Sequence, residues 1–189
     1  MKLRKATNED ALPVAQLIYE AIHDIAFQLT GETTKEQAIT ALAELFRQPG
    51  NRFSAKQVVV AEEGGLIAGM ILCYHGSEAD KLDAPIVAQL RKRKGNSDLV
   101  IDKEADEDEY YIDSIAVFPQ FRGRGIAKAL LQAAEEAAAA CGWRKIALNV
   151  EYGNDRAARL YRAFGYTPDK TITINGSSFY HMVKLITLP

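Results

Sequence analysis

The chain has 189 residues, 48% of them hydrophobic and 25% charged, with a formal net charge of −2 at pH 7. That suits one domain with a substantial core and an ordinary globular composition. The near-neutral balance gives no global pull toward nucleic acid or an anionic membrane, and no apolar run is long enough to span a bilayer. The start MKLRKATNED has no apolar leader core, so a cytoplasmic protein is expected.

Residues 2–6 read as a short first strand. Apolar side chains then recur at helical spacing through Val14, Leu17, Ile18, Ala21, Ile22 and Ile25, with Pro13 near the start of the regular helix. Gly31 interrupts the pattern, which restarts behind the cap Thr34 with Gln37 three places on. PGNRF reads as a turn, and KQVVVAEEGGLIAGMILCYH as a hairpin closed at Glu63-Gly64-Gly65.

Residues 76–109 have a different character. A basic run, RKRK, precedes an acidic one, IDKEADEDEY. The segment is expected to be a surface or acceptor-side insertion, dispensable to the core. Without interleaved aromatics the basic run reads as a solvated face, not a phosphate or RNA dock. The acids either solvate a loop or draw a cationic substrate.

Regular structure returns at YYIDSIAVFP. Alternation puts Tyr111, Asp113, Ile115 and Val117 on one strand face, with Ile112, Ser114 and Ala116 on the other. A helix stopped by Gly142, a strand RKIALNVEY and a helix capped by Asn154 and ended at Gly165 follow. A hairpin around Asn175-Gly176 closes the series. Interleaving of this kind packs helices on a mixed sheet. Cys73 and Cys141 are expected as buried thiols without a disulfide. His23, His75 and His181 show no metal-ligand spacing, so no metal is expected.

The junction VFPQFRGRGIAKAL carries the chemistry. A strand ending at Val117 must turn at once into an alanine-rich helix whose first N–H groups have no intrahelical acceptors. Facing a cleft, they attract phosphate oxygens. Gly123 and Gly125 admit the close approach, and Arg122 and Arg124 add charge. No Gly-Lys-Ser/Thr follows, which excludes a Walker A loop, and Lys128 stands where a dinucleotide fingerprint needs its third glycine. Downstream, Ala157 and Tyr161 share a helix face behind Asn154. Asp113 is a carboxylate in an apolar strand, either a cleft-facing proton acceptor or a hydrogen-bonded structural acid.

Together these features resemble the GCN5-related N-acetyltransferase (GNAT) superfamily. Its Gln/Arg-x-x-Gly-x-Gly/Ala pattern stands here as Gln120-Phe121-Arg122-Gly123-Arg124-Gly125, followed by Asn154, Ala157, Leu160-Tyr161 and Gly165-Tyr166. The resemblance implies a single mixed, mainly antiparallel α/β sheet flanked by helices, with acetyl-CoA as cosubstrate. It implies that the turn from Gln120 through Ile126 and Ala127 grips the pyrophosphate. Ile115, Ala116 and Val117 would hold the pantetheine arm, with Asn154, Ala157 and Tyr161 completing the cofactor site. Tyr161 would protonate the departing thiolate and Asp113, with Glu109 in reserve, would accept or relay the amine proton. The implied reaction is direct acetyl transfer to a primary amine, on a small molecule or peptide, in a ternary complex. A non-catalytic acyl-CoA sensor and a transferase with a non-amine acceptor stay open, as does a homodimer. No nucleic acid or membrane partner is expected.

Overall fold

The computed structural model describes residues 1–188. Seven strands form one sheet in the order β1-β2-β3-β4-β5-β7-β6. They are β1 (Lys2–Lys5), β2 (Val58–Glu63), β3 (Leu66–His75), β4 (Tyr110–Val117), β5 (Lys145–Glu151), β6 (Thr167–Ile174) and β7 (Ser177–Leu185). Neighbours run antiparallel except β4 and β5, so the expected mixed, mainly antiparallel α/β sheet is what forms.

The sheet separates two cores. On one face, α1 (Ala11–Ile22), α2 (Ile25–Thr30), α3 (Lys35–Arg47) and α4 (Ala79–Lys94) bury Leu17, Leu42, Phe46, Ile86 and their neighbours against Met70 and Leu72 of β3. On the other, α5 (Ile126–Ala140) and α6 (Asp155–Ala163) pack Leu130, Leu131, Ala134 and Ala158 against Ile71, Ile112 and Leu148. Small alanines on the inner face of α5 let the helix lie close to the strands.

Three departures from the sequence pattern shape the site. First, the helix expected to run through Ile25 breaks at His23, whose φ of 43° is left-handed and costly for a residue with a Cβ.

Second, β4 carries a bulge. Leu72 pairs with Ser114 but Cys73 pairs with Ile112, leaving Asp113 as the extra residue. One inserted residue resets the alternation. Ile112, Ile115 and Val117 therefore face the α5 core, while Tyr111 and Ala116 face the α1 core. Asp113 does not share a face with Ile115 and Val117 as simple alternation predicts. Beyond the bulge β4 also parts from β5: only Tyr110–Ile112 pair with Ile146–Leu148, and the rest of each strand is bonded on its far side alone. The sheet opens there into a notch of unpaired main chain.

Third, residues 76–109 are not an excursion from the core. Leu82, Ile86 and Leu90 of α4 are buried at four-residue spacing, and Ala105 is buried with them. The basic run is the last turn of α4, where cations oppose the negative end of the helix.

Candidate active site

The turn after β4 is built as an open anion cradle. Gly123 and Gly125 have φ of 78° and 77°, a backbone that favours glycine, and a Cβ at either would meet no protein atom within 4 Å. No side chain caps α5, and its first main-chain bond runs from Ala129 N–H to the Gly125 carbonyl at 3.1 Å. The N–H groups of Ile126, Ala127 and Lys128 therefore have no acceptor among the described residues.

A cleft of about 700 Å³ opens in front of this turn and runs along β4 to α6. Of the residues that the sequence assigns to the cofactor, all but Gln120, Arg124 and Tyr161 line it. Arg124 is turned away, donating to Glu63 at 2.9 Å and to the Gln120 carbonyl at 3.2 Å. Its charge serves the β2–β3 hairpin. The sequence reading missed Lys128, Arg156 and Arg159, which line the same cleft. The signal was present in NDRAAR, where arginines three apart share the face of Ala157 and Leu160.

A second cavity of about 400 Å³ lies across the notch, between the α1–α2 break, Ile112–Ile115 of β4 and Leu148–Glu151 of β5. Tyr161 lines this one, 9% exposed, with its hydroxyl pushed up to about 12 by burial. It stays protonated at neutral pH and is available as a donor. Glu20, Ile115, Asn154 and Ala157 line both cavities. Among these four only Glu20 carries a carboxylate, and it stands 3.7 Å from Arg122. Asn154 caps α6 by accepting from Ala157 N–H at 3.1 Å.

Asp113 is the main correction. Its side chain is 1% exposed and its Oδ2 is bridged by both Nε and a terminal nitrogen of Arg52, with the Tyr74 hydroxyl donating at 3.1 Å. Arg52, 2% exposed, also holds Glu104 at 2.9 Å and Asp83 at 3.4 Å. Burial alone would lower the Arg52 pKa, but Asp113 and Glu104 outweigh it and raise it well above its ordinary value. Were Asp113 to take a proton, it would strand a buried guanidinium without its closest partner. The structure therefore gives it the structural role.

Glu109, the reserve acid, lines neither cavity and is fully buried. It receives the Asp106 N–H at 2.9 Å and faces His181 Nε2 at 3.0 Å, while His181 Nδ1 meets Asp169 at 2.6 Å. Burial by itself would lower His181, but the hydrogen bonds to Glu109 and Asp169 prevail and raise it. Ligand atoms of Asp106, Glu109 and His181 lie within 4.8 Å of one another. Lys145, 3.4 Å from Glu109, and Lys170, 2.6 Å from Asp106, already balance the carboxylates, so the group is an ion-pair network. Cys73 is buried as expected; Cys141 is exposed.

The sheet thus parts beside an uncapped, glycine-led helix, with a cleft lined by cationic side chains on one side and a second cavity on the other. Comparison with known proteins specifies this arrangement further. The sequence model of the acetyltransferase (GNAT) family matches residues 19–166, and the chain belongs to that family. A solved acetyltransferase structure is 32% identical, superposes with a TM-score of 0.80 and is covered over 100% of its chain and 99% of this one. An N-acetyltransferase from Staphylococcus aureus Mu50 is 28% identical with a TM-score of 0.83, covering 97% of this chain and 100% of that one. The uncharacterized N-acetyltransferase YdgE of Bacillus subtilis (strain 168) is 38% identical over 58 residues, which is 31% of this chain and 37% of that protein. The match thus spans little more than a third of that relative.

Proposed function

We propose that the protein transfers the acetyl group of acetyl-CoA to a primary amine by direct attack with both substrates bound. The observation carrying this reading is the pairing of two cavities across the β4–β5 notch, with Glu20, Ile115, Asn154 and Ala157 common to both. A carrier held in one then meets an acceptor held in the other without a covalent enzyme intermediate.

The residues present fit acetyl-CoA. The free N–H groups of Ile126, Ala127 and Lys128 and the side chains of Arg122, Lys128, Arg156 and Arg159 would hold its phosphates. The unpaired main chain of β4 beyond the bulge would hold its pantetheine arm as an added strand. When bound, it supplies a thioester whose carbonyl carbon accepts the amine nitrogen as the C–S bond breaks. Tyr161 donates its phenolic proton toward the departing sulfur. Glu20, the titratable residue common to both cavities, takes the amine proton in place of Asp113. Arg122 at 3.7 Å orients that carboxylate.

Incubation with labelled acetyl-CoA and a panel of amines tests the proposal, with cofactor binding followed in parallel by calorimetry. Transfer to at least one amine class is expected. Tight cofactor binding without transfer to any amine would overturn the reading in favour of an acyl-CoA sensor.

A further inference from the structure

The two cavities carry opposite charge. Arg122, Lys128, Arg156 and Arg159 line the cofactor cleft against a single carboxylate, Glu20. The acceptor cavity is lined by the carboxylates Glu20, Asp24, Asp113 and Glu151 and by no lysine or arginine. Asp113 is neutralised by Arg52, and Glu20 stands toward Arg122. That leaves Asp24 and Glu151, both exposed and without an ion pair among the described residues, on opposite walls: one in the α1–α2 break, the other at the end of β5.

A second observation points the same way. Asn149 lines this cavity, and its Nδ2 donates to the Glu104 carbonyl at 3.0 Å and to the Tyr111 hydroxyl at 2.8 Å. A carbonyl can only accept, so the amide orientation is settled and Oδ1 is left as a buried acceptor with no partner. Ser114, 5% exposed and also in the lining, has an unpartnered hydroxyl. The lining thus carries negative charge and no cation, with two unpaired polar oxygens buried just beneath it. Its volume of about 400 Å³ falls in the range of small-molecule sites.

We propose that the acceptor is a small aliphatic amine carrying a second positive charge, a diamine or polyamine, whose far ammonium is held between Asp24 and Glu151 while its near nitrogen is acetylated. This rests on the acetyl-transfer reading above and names its acceptor class. An ammonium brings three donors and no acceptor, complementing a wall of carboxylates. The near nitrogen sheds one proton to solvent to become the free amine, bonds to the acetyl carbon and gives a second proton to Glu20, which returns it through solvent to restore Tyr161 after turnover. The C–S electron pair leaves with sulfur, which takes the Tyr161 proton. The far ammonium stays protonated throughout. The product carries one positive charge fewer than the substrate, so it is held less tightly and leaves.

The test compares kcat/KM of the intact protein for three four-carbon amines: putrescine, butylamine and γ-aminobutyrate, with cationic, neutral and anionic tails. Putrescine should exceed butylamine about tenfold at low salt, the scale of two partly exposed ion pairs, with γ-aminobutyrate the poorest. The putrescine-to-butylamine ratio should fall toward unity in the D24N/E151Q double variant and should stay put in E44Q, an exposed acid on α3. It should also fall as salt shortens the screening length, a wild-type measurement that needs no variant to fold. Equal rates for putrescine and butylamine, or better rates for γ-aminobutyrate or a peptide amino terminus, would overturn the acceptor class while leaving acetyl transfer intact. Absence of transfer to every amine would instead remove the reading beneath it.

Discussion

The cluster around Arg52 and the turn around Gly123 both concentrate charge and polar groups within one sheet, yet they are built on opposite rules. Around Arg52, three carboxylates, the hydroxyls of Tyr74 and Tyr111 and the Asn149 Nδ2 donor pair with one another in a buried web spanning β3, α4, β4 and β5. Around Gly123, the first main-chain donors of α5 and the side chains of Lys128, Arg156 and Arg159 line an open cleft with no protein acceptor among the described residues. A closed network holds the architecture; an open one awaits a ligand. That difference sets Asp113, tied into the scaffold, apart from Lys128, Arg156 and Arg159, which line the open cleft.

The sharpest way to break this contrast is Arg52→Ala. Removing the guanidinium leaves Asp113 and Glu104 buried and uncompensated, and should cost about 3–5 kcal/mol in denaturant unfolding. A loss under about 1 kcal/mol, the level of a surface pair, would show that the network is not structural. Next, Tyr161→Phe should lower turnover by roughly 10²-fold, the lower range for a lost general acid, with coenzyme A affinity unchanged by calorimetry. If affinity falls instead, Tyr161 belongs to binding and the division between the two cavities is wrong.

Gly125→Val probes the open side alone. It should weaken coenzyme A binding by about tenfold or more while the left-handed backbone costs only about 1–2 kcal/mol of stability. Unaltered affinity would empty the proposed cradle. The smallest effect concerns a second closed network, that of His181. Its folded pKa is raised, so its stabilising contribution is complete below the ordinary value of about 6.5 and disappears as pH rises through the folded value. The stability gap between wild type and His181→Gln should therefore narrow from pH 6 to pH 9, as Glu109, itself paired with Lys145, and Asp169 come to face a neutral imidazole. A gap that widened with pH would reverse the assignment.

How far the sequence could carry these conclusions depended on the range of the interactions involved. The glycine turn, the Asn154 cap and the terminal hairpin are properties of a few adjacent residues, and each formed where expected. The bulge at Asp113 is a property of pairing with β3, and alternation read along β4 alone put its side chain with the wrong neighbours. Glu104 and Glu109 were indistinguishable from the acids around them, because Arg52 and His181, 52 and 72 residues away, are what bury them. Residues 79–94 did carry a legible signal in Leu82, Ile86 and Leu90, but the surrounding charges and Pro85 obscured it. Glu20 lay in a helix read only for its apolar stripe, and nothing local pointed to the cavities it joins.

The parting of β4 from β5 has one more consequence. Strand edges with bare main chain invite other chains to add to them, and a protein carrying them on its rim is prone to sticking to its own copies. Here the bare segments of β4 and β5 face each other inside the molecule, between strands still joined at Tyr110–Ile112. This stretch of bare backbone lies in a slot within the sheet, apart from the outer edges at β1 and β6.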